Sequence, residues 1–393
     1  MPSRLKLGPA EFGHGFEDFR KEVSDFFTAN SRPEWFTLDP ESDEYRAYGQ
    51  EMDRKLIERG WFTMHWPEQY GGSGASPFQY GVLRELAGYH RVPTAGGHGR
   101  YIIGPALSAF GTEEQKLRYM PRISRGEMVI CLGFTEPNAG SDLAALQTKA
   151  VRDGDHFVVN GSKLYITFGH FADTMLLVAR TDPSASRYKG CSLFLVDLTL
   201  PGVRIGKMES MGGHRITETS FDEVRVPADC LIGEEGQGFY HMALALNYER
   251  AGVDRPAIYM AHLEDLAEYC RANGQWERPA VRQRIGRLAS LLHAWRMIGW
   301  RVIALQAEGK MPTWEASMSQ FYRKEINPLF GQAVFDILGP RALLERGDPD
   351  AILFGRSEWH VREAFDNHGQ GGRFVTRNVL AQRGLRLPKE RRA

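Results

Sequence analysis

Apolar residues follow a helical spacing at both ends of the chain and form short, strand-like runs in its middle. Near the start, five apolar residues recur every three or four positions, which predicts an amphipathic helix. They are Phe16, Phe19, Val23, Phe26 and Phe27. A second helix is predicted over residues 45–60, where Gly60 provides a C-terminal cap. The first zone, up to about residue 130, is therefore predicted to be helical.

The pattern changes between about residues 131 and 238. The stretch AVRDGDHFVVNGSKLYIT, residues 150–167, has Asp-Gly and Asn-Gly steps between short apolar runs, and such steps are typical of hairpins. The later runs TMLLVART, CSLFLVDL and TSFDEVRVP are typical of strands. Because few helical patterns intervene, we predict a mostly antiparallel sheet.

Helical spacing returns from about residue 239, where one long apolar stripe predicts a bundle core or a subunit interface. The stripe consists of Val281, Ile285, Leu288, Leu292, Trp295, Ile298, Val302 and Leu305. The order of the three zones predicts an α+β multidomain protein. It would have an N-terminal all-α domain (1–130), a central antiparallel β domain (131–238) and a C-terminal helical bundle (239–393).

Length, composition and charge exclude several classes of protein and of partner. With 393 residues, the chain is too long for a single hydrophobic core. Its 49 basic and 49 acidic residues cancel, so overall charge does not favour nucleic acid or an anionic membrane as a partner. No apolar run approaches the ~18 residues of a transmembrane helix, and the first residues lack the apolar core of a signal peptide. The four cysteines lack metal-ligand spacing and favour reduced thiols, so a cytoplasmic location is expected.

The densest candidate for chemistry is CLGFTEPNAGSD, residues 131–142. It is typical of a strand that runs into a turn. Gly140 would let backbone N–H groups approach a phosphate, and Ser141 adds a hydroxyl donor. On these residues alone, a plain surface turn is the alternative. The string is not a Rossmann fingerprint, because no G-x-G-x-x-G follows a strand and opens a helix.

The whole string resembles the flavin-binding signature of the acyl-CoA dehydrogenase family, in which a Thr-Glu-Pro step precedes Ala-Gly-Ser-Asp. Three further blocks that resemble the family follow in order. They are NGSKLYITFGHFAD (160–173), MGGHRITETSFDEVRVPADCLIGEEGQGF (211–239) and RNVLAQRGLRLP (377–388). The resemblance implies an N-terminal helical domain, a central β domain and a C-terminal four-helix bundle, with FAD bound between the last two.

The resemblance also implies roles for residues of the first flavin segment. Thr135, with the backbone around Phe134, would hydrogen-bond the pyrimidine edge of the flavin. Gly140 and Ser141 would hold the pyrophosphate, and Ser141 would also contact the substrate.

A second flavin segment is implied around residue 165. Tyr165 stands where the family usually has Trp, and its ring would pack against the flavin. Thr167 would donate to flavin N5, the atom that accepts hydride. Elsewhere the chain departs from the family pattern: Asn273 and Trp276 replace an Arg-x-x-Phe-Gly context, and DILGP, starting at Asp336, replaces Gln-x-x-Gly-Gly. Both departures fall on contacts to the pyrophosphate and adenosine side of FAD.

The catalytic base has two candidates. In the family, a carboxylate removes the α-proton of an acyl thioester, so the base must be desolvated and close to that carbon. Most members carry it in a C-terminal Tyr-Glu-Gly-Thr-like turn, but residues 365–376 read FDNHGQGGRFVT here, and Asp366 is the nearest match. Some members place the base just before an Arg in the first long helix after the β domain, which is the position of Glu249 in NYERAG. Arg250 would then contact the substrate. That the chain has no competent base is the third alternative.

Together these features predict an FAD-dependent dehydrogenase that converts an acyl-CoA to the trans-2-enoyl-CoA and passes electrons to an electron-transfer flavoprotein. The apolar bundle favours a homotetramer or a two-by-two assembly with a related chain. Two alternatives stay open: a non-catalytic partner subunit of a heteromeric enzyme, and an acyl-CoA oxidase that uses oxygen. The altered C-terminal turn favours a bulky or cyclic acyl group, carried by CoA or by an acyl carrier protein.

Overall fold

The structure is a computed structural model that describes residues 16–388, with gaps at 33–34, 36, 94–96, 212–214, 250–251 and 366–370. Within α6, defined below, the side chains of residues 247–249 are also outside the description. Two of the predicted site residues, Arg250 and Asp366, therefore lie outside the described residues.

Helices occupy both ends of the described chain, as the spacing predicts. They are α1 (Glu17–Asn30), α2 (Asp43–Glu58), α3 (Pro77–Tyr89), α4 (Gly104–Phe110), α5 (Glu113–Ser124), α6 (Gly238–Glu249), α7 (Asp254–Ala272), α8 (Pro279–Ala307), α9 (Trp314–Leu338), α10 (Arg356–Glu363) and α11 (Arg373–Val379). Gly60 follows α2 with a φ of 68°, in agreement with its predicted capping role. None of the described helices combines the length and apolar content that crossing a membrane requires.

Eight strands form one sheet in the middle of the chain. They are β1 (Ile130–Gly133), β2 (Lys149–Asp153), β3 (His156–Thr167), β4 (Thr174–Arg180), β5 (Cys191–Asp197), β6 (Val203–Glu209), β7 (Arg215–Pro227) and β8 (Leu231–Ile232). Their order is β6-β7-β3-β2-β4-β5-β8, and β1 also pairs with β4. Pairing is antiparallel except between β1 and β4, and at one residue pair between β2 and β4. The predicted α+β class is confirmed.

The two predicted hairpin steps have different outcomes. Gly154 lies in the turn that joins β2 to β3, so the Asp-Gly prediction is confirmed. The Asn-Gly prediction is wrong, because Asn160 and Gly161 lie inside β3 at a shift in its register with β7. The Asn160 side chain pairs with Glu223 of β7: its amide donates to Oε1 at 2.7 Å, and its carbonyl accepts from the Glu223 N–H at 2.9 Å. These bonds hold the bulged strand to its neighbour, so the chain continues without turning.

The chain forms two compact units, and the first contains the whole sheet. This sheet unit consists of Gln50–Ala75 and Thr94–Glu249. Its strands β4 and β5 are buried on both faces. In β4, Leu176 and Val178 belong to a core shared with helices of the unit, whereas Met175 and Leu177 belong to a second core. This alternation follows from the period of two along a strand, and it explains why both strands appear as unbroken apolar runs.

The second unit contains the described residues of Met1–Gly49, Ser76–Pro93 and Arg250–Ala393. Part of the predicted α8 stripe packs here against α7 and α9 and forms helix-bundle core within this chain: Val281, Ile285, Leu288, Leu292 and Trp295. Trp295 of α8, Leu263 of α7 and Phe330 of α9 are among the buried residues of that core.

A buried carboxylate links three helices of the second unit. Glu85 of α3 is 1% exposed and accepts hydrogen bonds from Arg296 of α8 through both of its oxygens, at 2.5 and 3.0 Å. Arg20 of α1 and the indole N–H of Trp300 donate to the same carboxylate, at 3.0 and 2.9 Å. Charge-assisted bonds of this kind compensate for the cost of burying an ionised group.

All four cysteines are free and buried. They are Cys131, Cys191, Cys230 and Cys270.

Candidate active site

The first predicted flavin segment is the turn that follows β1. Phe134 is buried and Thr135 half-buried, and Glu136 and Ala139 then exchange two backbone hydrogen bonds of 3.1 Å that close the turn. Gly140 is exposed, and a Cβ atom added there would meet no other atom within 4 Å. The space beside its backbone is therefore open, as a phosphate-binding turn requires. The exposed residue Ser141 follows directly.

The second predicted segment, at the end of β3, lies directly beside the first. The backbone N–H of Leu164 donates to the carbonyl oxygen of Thr135 at 2.8 Å. The ammonium group of Lys163 donates to the carbonyl oxygen of Phe134 at 3.2 Å. These two bonds bring the segments implied by the resemblance together, although some 30 residues separate them in sequence.

A bulge in β3 turns Tyr165 outward. The register with β7 shifts between Lys163 and Ile166, and Tyr165 has a φ of 57°. A bulky residue in this left-handed region is strained. Ile166 is buried, whereas Tyr165 is 60% exposed and Thr167 is also exposed. The ring and the hydroxyl therefore lie on the outer face of the sheet, as contacts to a bound ring system require.

Helix α6 brings the chain to Glu249. Its first residue, Gly238, lies so close to β5 that an added Cβ would be 2.4 Å from the Ser192 carbonyl carbon, so the start of the helix packs directly on the sheet. Met242 and Ala245 then bury one face of α6 in the core of the sheet unit. Glu249 is the last residue of the helix, and its role as base stays a prediction because its side chain is not described.

Two further polar residues of this site were not predicted from the sequence. Lys163 is fully buried and its ammonium contacts the carboxylate of Glu136 at 2.8 Å. Burial lowers the pKa of Lys163 to about 8, although Glu136 opposes this shift. Burial also raises the pKa of Glu136, but Lys163 and neighbouring donors outweigh it, so that pKa lies below its ordinary value. The sequence did contain a sign of this burial, because Lys163 occupies a position that the alternation of β3 directs toward the core.

Comparison with known proteins identifies the family. Residues 15–127, 131–224 and 236–383 match the N-terminal, middle and C-terminal domains of acyl-CoA dehydrogenases. The acyl-CoA dehydrogenase FadE29 of Mycobacterium tuberculosis is 30% identical, over 95% of this chain and 96% of its own length. FadE26 of the same organism is 28% identical, over 96% and 98%. The chain belongs to the acyl-CoA dehydrogenase family. It is an FAD-dependent oxidoreductase that dehydrogenates an acyl-CoA.

Solved structures of the same family share its fold. The steroid acyl-CoA dehydrogenase Tcur3481-Tcur3483 is 31% identical, with a TM-score of 0.87 over 98% of this chain and all of that chain. The ChsE4-ChsE5 complex of Mycobacterium tuberculosis is 28% identical, with a TM-score of 0.86 over the same shares.

The residues of the sheet unit fit FAD, which is the cofactor of the family. The open backbone at Gly140 suits a pyrophosphate, and the outward-facing ring of Tyr165 suits an aromatic ring system. Exposed hydroxyl groups at Ser141 and Thr167 supply hydrogen-bond donors.

The strain at Tyr165 gives a test of its role. We expect Tyr165→Asn to raise the free energy of unfolding of the FAD-free protein by roughly 1 kcal/mol, because Asn adopts a left-handed φ at lower cost than Tyr. The same change removes the aromatic ring, so the variant should bind FAD less tightly. Urea unfolding of the FAD-free chain and titration with FAD measure the two effects separately.

Tyr188 provides a matched control, because it is also exposed but has an ordinary negative φ. Tyr188→Asn should neither raise stability nor weaken FAD binding. If Tyr165→Asn is less stable than the wild type, or binds FAD equally well, Tyr165 is not a strained flavin contact.

Proposed function

We propose that this chain catalyses the α,β-dehydrogenation of an acyl-CoA thioester with Glu249 as the base. The observation that carries the proposal is the hydrogen bond from the Leu164 N–H to the Thr135 carbonyl oxygen. It joins the two segments that contact the flavin in the family, and both Tyr165 and Thr167 of the second segment are exposed.

Different residues of the chain have different roles in binding FAD. Thr135 and the backbone at Phe134 would bind the pyrimidine edge of FAD, Gly140 and Ser141 would hold its pyrophosphate, and Tyr165 would pack against its ring. FAD, when bound, supplies the acceptor for the hydride that leaves the β-carbon.

The carboxylate of Glu249 takes the α-proton, so that a trans-2-enoyl thioester is formed. Arg250, with Ser141, helps to hold the substrate. Asp366, the other candidate base, is the alternative that experiment must exclude.

The relatives support a bulky substrate and a heteromeric assembly. One of the two structures described above is named a steroid acyl-CoA dehydrogenase, and both are named as pairs of proteins. We therefore propose that the acyl group contains a ring system and that the chain assembles two-by-two with a related chain. An electron-transfer flavoprotein is the proposed electron acceptor. The same pairs also favour the second candidate function, a partner subunit that carries no complete site of its own.

The test is anaerobic bleaching of the flavin. The chain is purified alone, its bound FAD is measured, and it is titrated with straight, branched and polycyclic acyl-CoAs in the absence of oxygen. We expect a yellow protein whose flavin absorbance is bleached by the polycyclic class and is restored by an electron-transfer flavoprotein.

Other outcomes point to the alternatives. A colourless chain that gains FAD and activity only with a related chain would support the partner-subunit function. A bleached flavin that recovers rapidly in air would identify an oxidase. Bleaching by straight-chain acyl-CoAs alone would contradict the proposed ring-containing substrate.

A further inference from the structure

The buried ion pair between Glu136 and Lys163 lies between the two flavin segments. Glu136 follows Thr135 in the first segment, and Lys163 of β3 precedes Leu164 and Tyr165 in the second. The Lys163 side chain is 0% exposed, and its ammonium contacts Glu136 Oε1 at 2.8 Å and the Phe134 carbonyl oxygen at 3.2 Å. Each segment therefore contributes one charged side chain to the same buried contact.

The carboxylate of Glu136 also holds a third segment. It accepts the backbone N–H of Gln147 at 2.6 Å and that of Thr148 at 2.9 Å, just before β2 begins. Thr148 is itself buried, and its hydroxyl donates to the Ser162 carbonyl oxygen at 3.4 Å. The turn that carries Thr135 is thus attached to the chain before β2 as well as to β3.

A buried ion pair is an inefficient source of stability, because the cost of removing both charges from water offsets most of their attraction. It does fix geometry, since a charge in a buried site is satisfied only when its partner is in place. Here the geometry that it fixes includes the Thr135 carbonyl, which accepts the Leu164 N–H, and hence the spacing of Thr135 from Tyr165 and Thr167.

We propose that Glu136 and Lys163 are positioning residues that set the relative placement of the two flavin-binding segments. The proposal rests on the function proposed above, because it needs Thr135, Tyr165 and Thr167 to contact FAD. Neither Glu136 nor Lys163 is required to touch the cofactor. Their effect on FAD is therefore transmitted through the Phe134–Thr135 backbone and through β3.

Lys163→Met tests the proposal, because methionine is also unbranched but carries no charge or donor. We expect the dissociation constant of FAD to rise roughly tenfold or more and the visible spectrum of the bound flavin to shift. Val159→Ala is the matched control: Val159 is a fully buried residue of the same strand, and its truncation destabilises the core without touching the turn. Even if Val159→Ala lowers the free energy of unfolding as much as Lys163→Met does, it should bind FAD with wild-type affinity and show the wild-type flavin spectrum.

Glu136→Gln provides a second variant if Lys163→Met does not fold. It keeps the size of the side chain and one carbonyl acceptor, so a smaller rise of the FAD dissociation constant is expected in the same direction. If both variants fold and bind FAD as tightly as Val159→Ala, with an unchanged spectrum, the pair is structural only and the proposal is overturned.

The wild-type holoenzyme allows a test without substitution. Among the residues that the structure describes, Glu136 and Cys191 are the charged or titratable groups that act on Lys163, and Arg180 acts on Cys191. Because the pKa of Lys163 is about 8, we expect the FAD dissociation constant to rise between about pH 7 and 9 as the ammonium loses its proton. In Lys163→Met this rise should be absent, and a variant that follows the wild-type curve would overturn the proposal.

As pH rises, the contribution of Lys163 to stability is expected to grow while FAD affinity falls. This difference distinguishes a positioning role from a general loss of folding. The folded-state pKa of Lys163 lies below its unfolded value of 10.5, so its contribution to the free energy of unfolding grows as pH rises from about 8 to 10.5. The expected signature is an FAD affinity that falls between about pH 8 and 9 while Lys163 causes no loss of stability. If the wild-type chain binds no FAD at any pH, the function proposed above fails. If it binds FAD but shows none of these changes, only the positioning role fails.

Discussion

Glu249→Gln is expected to slow the bleaching of bound flavin by acyl-CoA roughly 10²–10⁴-fold, the usual contribution of a general base. The amide is close in size to the carboxylate but cannot take the α-proton. FAD should stay bound, because the predicted flavin contacts lie in the turn after β1 and in β3, not at the end of α6. Anaerobic stopped-flow absorbance measures the rate of bleaching, and the flavin content of the purified variant measures retention.

Asp366→Asn is the matched control, because it makes the same neutralising change at the other candidate. It should bleach at close to the wild-type rate if Glu249 is the base. If Asp366→Asn is slow and Glu249→Gln is not, the base is Asp366. If both variants match the wild type, Glu249 is a structural charge and the base lies elsewhere.

Glu85→Gln is expected to lower the free energy of unfolding by roughly 3–5 kcal/mol, the cost of removing one partner of a buried ion pair. The change takes the negative charge away from Arg296, which is 1% exposed, and from Arg20. The midpoint of urea unfolding measures the effect, provided that the slope of the transition is unchanged. FAD concentration must be held constant, because ligand binding itself shifts the midpoint.

Asp25→Asn is the control for Glu85→Gln. Asp25 pairs with Lys21 on α1, and both side chains are largely exposed, so its loss should change stability by well under ~1 kcal/mol. A Glu85→Gln effect as mild as that of this control would contradict the prediction. In that case Glu85 does not bind the three helices together.

Local patterns predicted which parts of the chain are helix and which are strand. The helix predicted from the α8 stripe and the strands predicted from the apolar runs of β4 and β5 are confirmed, because buried residues recur with the period of the helix or strand that contains them. Two features depend on contacts between distant residues and could not be predicted from a local pattern. One is the parallel pairing of β1 with β4, and the other is the partner of Asn160 on β7, which keeps an apparent turn signal inside a strand.

The site was predicted less completely than the fold. The resemblance selected Thr135, Tyr165 and Thr167, and the structure brings their two segments together. The strained φ of Tyr165 could not be predicted, because a bulge is set by how β3 pairs with β7. Lys163 was missed for a different reason: a charged residue in sequence is ordinarily assigned to the surface, and only its partner Glu136 makes burial possible. The role of Glu249 depends on its side chain and stays a prediction.

The burial of the four cysteines makes the chain suitable for site-specific labelling. Burial raises the pKa of the Cys131 thiol to about 12 and that of Cys270 to about 11, and it also raises the pKa of Cys191 and Cys230. At neutral pH the reactive thiolate is therefore scarce, and reagents reach these sulfur atoms only when the fold opens. One cysteine introduced on the surface would carry a fluorophore or spin probe without prior removal of the native thiols. Slow labelling of the native thiols would in turn report local opening of the protein.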